Sequence, residues 1–179
     1  MGPNNLHAFG VWITGLPASG KSTLTAALKE ELRARGVDVA VLESGALRKT
    51  FAPHPTYDEK ERDTFYQQLA DVGALLTAQG VPVIFDATAN RRAYRDRARQ
   101  QIPHFLEVYM DCSLATCMAR DPKGIYRQAQ GNATATVAGL QTTYETPPRP
   151  DLIVDCETEA PGAAAKRVVA LLAEKGYIR

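Results

Sequence analysis

The stretch GLPASGKST, residues 15–23, sets Gly15, Gly20, Lys21 and Ser22 in the spacing G-x-x-x-x-G-K-S. That spacing describes a phosphate-binding loop. Its glycines let the backbone curl until successive N–H groups point at anionic oxygens, and a helix starting directly after the curl adds the positive end of its dipole. Lys21 supplies a mobile positive charge and Ser22 a hydroxyl oxygen for a Mg2+ ion bridging the terminal phosphates. Thr23 packs or caps the first helical turn. Leu16, Pro17, Ala18 and Ser19 complete the loop. ATP is the favoured nucleotide, because the chain has no Asn-Lys-x-Asp sequence of the kind that selects guanine.

Phosphoryl transfer to a hydroxyl also calls for a carboxylate. Two acidic residues stand at the ends of apolar runs, Asp86 in VIFDATAN and Glu43 in VLESGALR. Asp86 is assigned to Mg2+ binding or proton acceptance, with Glu43 as the second choice. The competing readings are a helix cap for Asp86 and a solvated loop position for Glu43.

These residues need a scaffold, and the hydrophobic pattern supplies one. Short runs rich in Val, Ile and Leu, at Ala8–Thr14, Val37–Leu42, Val81–Phe85, Phe105–Met110 and Leu152–Val154, read as strands buried on both faces. Between them lie segments of helical period: Lys21–Arg35 closed by Gly36, Asp58–Gln79 closed by Gly80, Tyr94–Gln101, Ser113–Arg120, and a last helix ending before Gly176. Alternation of this kind predicts an α/β P-loop NTPase fold, with a parallel five-stranded sheet covered by helices on both faces. With 179 residues the chain is one domain, 1–179. Residues 121–150 are polar and rich in Gly, Thr and Pro, and are read as a mobile lid.

Composition narrows the partners. Twenty-one Lys and Arg against twenty Asp and Glu leave a charge of +1, too little for a broad field on a polyanion, so a nucleic acid partner is unlikely. No run approaches the length needed to span a bilayer and the first residues do not read as a signal peptide, which predicts no membrane and a cytoplasmic protein. Cys112, Cys117 and Cys156 are odd in number without CxxC spacing and are expected to be reduced thiols. Arg91, Arg95 and Arg99 recur every fourth residue and are expected on a solvated helix face. His54, His7 and His104 are assigned no role.

WITGLPASGKST, FLEVYMDCS and the segment RDPKGIY…GLQTTYETPPRPDL together resemble the adenylylsulfate (APS) kinases over about Val11 to Val154. The resemblance implies ATP-dependent phosphorylation of the 3′-hydroxyl of adenylylsulfate, and a homodimer. By position it gives Arg120 to the ATP side, Arg48 and Arg62 to the anionic acceptor, and Lys123, Gly124 and Tyr126 to the closing lid; Tyr144 would stack on a base or pack. The chain departs from the pattern around the acceptor. The family's D-G-D turn is Glu43, Ser44, Gly45, so the second Asp, its usual catalytic base, is a glycine; its Asn falls at Phe65, its lid aromatic at Val137, and its I-S-P-Y-R segment at Thr88–Arg92. The wording FDATAN is similar to other P-loop kinases. Two alternatives therefore stand beside adenylylsulfate: another hydroxyl or nucleotide-linked acceptor, and an ATP-binding domain without catalysis.

Overall fold

A computed structural model describes residues 7–132 and 134–179. Five parallel strands, β1 (Gly10–Thr14), β2 (Ala40–Glu43), β3 (Val83–Asp86), β4 (Phe105–Asp111) and β5 (Leu152–Asp155), form one sheet in the order β2-β3-β1-β4-β5. The expected architecture is present, with β1 at the centre between β3 and β4.

Period-two alternation sends side chains of each strand to opposite faces. Val11, Ile13, Ile84 and Val108 meet α1 (Lys21–Arg33) and α7 (Pro161–Glu174) through Leu24, Leu28, Leu32, Val168 and Leu172. Trp12, Val83 and Phe85 meet α3 (Glu59–Ala78) and α4 (Arg92–Gln101) through Phe65, Leu69, Tyr94 and Ala98. Both faces are therefore covered by helices.

Two helices lie where the sequence reading had none. α2 (Ser44–Phe51) follows β2 directly because the Glu43 side chain accepts from the Gly45 and Ala46 N–H groups and caps it. α5 (Leu114–Arg120) is followed by α6 (Ile125–Ala129), which forms inside the supposed loop. Asp121, which is buried, accepts from the backbone N–H groups of Tyr126 and Arg127 and starts that turn. The segment 121–150 also reaches the interior, burying Tyr126, Ala129 and Ala138.

Two expectations are corrected. Cys112 and Cys156 are disulfide-bonded, with Cys117 the free thiol. Parallel pairing sets Asp111 opposite Asp155, so the next residue of each chain segment lies alongside the other, Cα to Cα 5.3 Å. Their separation of 44 residues hides this in the sequence. Reducing the bond is expected to lower stability by about 3–4 kcal/mol, the loop-closure entropy for a ring of that size; thermal melts with and without dithiothreitol, against a Cys156→Ser variant, measure it. Arg95 is the second correction. It is buried to 1% exposure between α4 and β4 rather than solvated, while Arg91 pairs with Glu59 and Arg99 with Glu107 and Asp151.

Candidate active site

The chain leaves β1 at Thr14 and turns at once into the loop. Gly15 has φ +155°, and a Cβ there would stand 2.8 Å from the Met110 Cβ and 2.8 Å from Ser19 Oγ, so only glycine passes. Gly20 precedes α1 and offers no side-chain cap, which leaves the N–H groups of the first turn for an anion. The Ser19 hydroxyl is buried without a protein hydrogen-bond partner, a polar atom facing the same purpose.

Lys21 is itself buried. Its Nζ donates to the carbonyls of Gly15 and Leu16 at 3.1 and 2.8 Å, and burial pulls its pKa down to about 8 against the opposing charge of Asp86. Asp86 ends β3 next to Ile13 of β1 and is 4% exposed. Burial raises its pKa from the ordinary aspartate value, and Glu43 raises it further, while a hydrogen bond with Ser22 and the charge of Lys21 oppose the rise. It caps no helix, since α4 begins only at Arg92 with Arg91 as its cap. Glu43 stands opposite Asp86 in the β2–β3 register, its carboxylate already engaged on the start of α2.

One cavity of about 610 Å³ gathers Pro17 to Leu24, Glu43, Asp86, Thr88, Arg120 and Lys123. Arg120, at the end of α5, donates to the Cys156 carbonyl at 2.9 Å, with both disulfide sulfurs within 4 Å. Gly124, at φ +66°, starts α6, and the Tyr126 hydroxyl donates to the Pro17 carbonyl at 2.9 Å. Burial raises the pKa of Tyr126, so this phenol remains a donor at any ordinary pH. Gly139, at φ +85°, comes so close to the loop that a Cβ would lie 2.5 Å from Leu16 Cδ2. Gly139→Val is accordingly expected to force Leu16 aside and distort the phosphate loop itself, weakening nucleotide binding about tenfold or more, readable by fluorescence titration.

Arg48 and Arg62 do not line that cavity. Arg48 forms an ion pair with Glu61 and lies 3.8 Å over the Phe65 ring and 5.1 Å from the Tyr57 ring. Arg62 donates to the carbonyl and hydroxyl of Thr136 in the lid. The two arginines thus form a cluster of their own between α2, α3 and the lid. Phe65, where the family pattern has Asn, is the apolar floor beneath Arg48.

A second set of contacts, between segments far apart in the sequence, lies behind the loop. Thr14 Oγ1 donates to the Thr88 carbonyl and lies 3.0 Å from the Tyr144 hydroxyl, whose pKa burial pushes up to about 12. Asn90 and Arg95 bind the same returning arm of the lid. Only the apolar spacing around Tyr94 and Ala98 hinted that α4 turned its Arg95 face inward.

The cavity's oxygen donors suit a hard cation delivered with phosphates. Among the described residues no group of three or more His, Cys, Asp or Glu gathers to cage a metal ion, and Mg2+ ordinarily takes one or two protein oxygens together with phosphates. Ser22 and Asp86 meet that description. Among the described residues no helix is long and apolar enough to cross a membrane.

Comparison with known proteins agrees with this geometry. A family model described as adenylylsulphate kinase matches residues 7–155. A probable bifunctional SAT/APS kinase 2 of Sorangium cellulosum is 35% identical over 97% of this chain, which spans 30% of that longer protein. An adenylyl-sulfate kinase of Synechococcus sp. (strain JA-3-3Ab) is 32% identical over 94% of this chain and 96% of its own. In three dimensions, the Mycobacterium tuberculosis APS kinase CysC, solved with AMPPNP and APS, superposes with a TM-score of 0.87 at 29% identity, covering 93% of this chain and 98% of that one. The motif order, the strand order and these likenesses coincide, and the chain belongs to the adenylylsulphate kinase family.

Proposed function

We propose that this protein transfers the γ-phosphoryl group of ATP to the 3′-hydroxyl of adenylylsulfate, giving 3′-phosphoadenylylsulfate and ADP, the second step of sulfate activation. The observation that carries the reading is the cavity in which Lys21, Ser22, Asp86, Arg120 and Lys123 face one another across the loop.

Residues 1–179 act as one kinase domain, with residues 121–150 as its lid. The loop from Gly15 through Leu16, Pro17, Ala18, Ser19, Gly20, Lys21 and Ser22 to Thr23 cradles the nucleotide phosphates, and Arg120 holds its other side. Ser22 and Asp86 hold Mg2+, which when bound neutralises charge on the terminal phosphates. Lys21 leaves the carbonyls on which it rests and bonds the transferring group; its lowered pKa returns upward beside phosphate. The acceptor oxygen forms a bond to the γ-phosphorus as the bond to the bridging oxygen of ADP breaks. The hydroxyl proton passes to a carboxylate, for which Asp86 is the first candidate and Glu43 the second. Lys123 faces the acceptor from the cavity, Gly124 and Tyr126 close the lid over it, and Arg48 and Arg62 bind it by leaving Glu61 and Thr136. Family membership also supports a homodimer acting in the cytoplasm; sedimentation of the purified protein as a monomer at micromolar concentration would remove the dimer.

The test is ADP release with Mg-ATP and adenylylsulfate, with the product identified by mass and by the position of its new phosphate. A 3′-phosphorylated product is expected. One observation supports a second reading: Gly45 and Phe65 stand where the family pattern has Asp and Asn, and Arg48 is already paired with Glu61 over Phe65. If ATP binds but adenylylsulfate is untouched, another nucleotide-linked hydroxyl is the acceptor, and a panel of such compounds decides between that and an ATP-binding domain without catalysis.

A further inference from the structure

Arg95 lies outside the cavity, yet all three kinds of nitrogen in its guanidinium are used. Nε donates to Glu107 Oε1 at 2.6 Å, Nη1 to the Ala89 carbonyl, and Nη2 to the Glu145 carbonyl at 2.7 Å. Glu107 is on β4, Ala89 is in the turn between Asp86 and α4, and Glu145 is on the arm by which the lid returns to the sheet. Three separate segments therefore meet on one buried side chain.

Stability alone does not explain such a residue. A buried ion pair costs so much desolvation that an apolar pair of similar volume is often as stable or more so. An apolar pair, however, cannot donate to two carbonyls belonging to different segments. The turn it holds is itself unusual, since Ala89 has φ +43° and its N–H is taken by the Tyr66 hydroxyl. From that turn Asn90 Nδ2 donates to the Thr143 carbonyl at 3.1 Å, and the Asn90 carbonyl accepts from Glu145 N at 2.7 Å. Between those two lid residues, Tyr144 packs its ring 5.7 Å from the Arg95 guanidinium carbon. Its hydroxyl is 3.0 Å from Thr14 Oγ1, one residue before the phosphate loop begins.

We propose that Arg95 is a positioning residue that clamps the returning arm of the lid to the Asp86 turn and, through Tyr144 and Thr14, sets the lid's place over the phosphate loop. This rests on the kinase reading above for its catalytic consequence but not for the clamp itself. Arg95 touches no reacting atom; it acts by fixing Glu145 and Ala89.

The double variant Arg95→Met/Glu107→Gln removes both buried charges at similar volume and keeps the pair electrically neutral. Two readouts follow, on protein shown by circular dichroism to be folded. Tryptic cleavage at Lys123 and Arg127 in the lid, followed without any ligand, is expected to accelerate about tenfold as the arm opens. The kcat is expected to fall about tenfold to a hundredfold, with the Kd of the nucleotide, which the loop grips by itself, changing less than about threefold. Arg95→Lys keeps one charge but lacks the fork that reaches three partners, and should fall between. A folded double variant with wild-type cleavage and wild-type kcat overturns the proposal and leaves Arg95 as core filling. Should the double variant not fold, Arg95→Lys, which cannot reach the Ala89 and Glu145 carbonyls together, carries the test alone; a protein identical to wild type in both readouts overturns the proposal equally. A wild-type enzyme inactive on adenylylsulfate would remove the functional reading while leaving the cleavage result to judge the clamp.

Discussion

Lys21→Ala is expected to lower kcat roughly a thousandfold, the scale on which removing one charge-stabilising donor acts in acyl and phosphoryl transfer. The expectation comes from where the ammonium rests. Buried at the loop, it bonds the Gly15 and Leu16 carbonyls and sits in the field of Asp86. It is thus a charge held in a partly dehydrated place, where a phosphoryl group gains most from it. The same burial has a cost in stability whose sign is fixed by the pKa. The folded chain releases this proton near pH 8 and the unfolded chain near 10.5. Below pH 8 both states are protonated and the penalty is fully present. Between the two values the unfolded state binds more protons, so stability from this group rises with pH. Lys21→Met should therefore be inactive yet more stable at pH 7, by on the order of 1–3 kcal/mol, or several degrees in Tm. The gain should shrink as the pH climbs past 8. A Lys21→Met protein that melts below wild type at neutral pH would show that the two carbonyl hydrogen bonds outweigh the desolvation.

The second large effect belongs to Asp86. Asp86→Asn is expected to reduce kcat by about a hundredfold to ten-thousandfold, the range for a positioned proton acceptor. Two roles are open to this carboxylate, and magnesium separates them. If its main work is to hold Mg2+, raising the metal concentration should restore much of the rate; if it takes the acceptor's proton, rate stays low at saturating metal. Glu43→Gln is the internal comparison. Since that carboxylate caps α2 through Gly45 and Ala46, its loss should cost about 1 kcal/mol of stability and a smaller part of the rate. A larger rate loss for Glu43→Gln than for Asp86→Asn would reverse the order of the two residues. The substitution of glycine at position 45 makes the comparison informative, because the family pattern has its catalytic Asp there.

Residues near one another in the chain, and residues bound to a strict period, were legible in advance. The phosphate loop is a local structure: its glycines, Lys21 and Ser22 act through their own backbone and the helix they begin, so nine consecutive letters suffice to describe it. The central strands were legible because burial on both faces demands apolar residues, whereas the edge strands β2 and β5 are only partly buried, with Ile153 half exposed, and were legible from their Val, Ile and Leu alone. The placement of β3 beside β1 follows from the fold class and carried Asp86 to the loop. What escaped depended on pairings between distant segments. Cys112 and Cys156 meet only because β4 and β5 pair in parallel with one particular register. Arg48 and Arg62 carry the expected charges, but whether those charges face a ligand, Glu61 or Thr136 is decided by the packing of α2, α3 and the lid. Arg95 looked like one of three surface arginines because its period matched theirs. The sequence shows that spacing, but only the tertiary fold supplies Glu107, Ala89 and Glu145, the partners without which a buried guanidinium could not be tolerated.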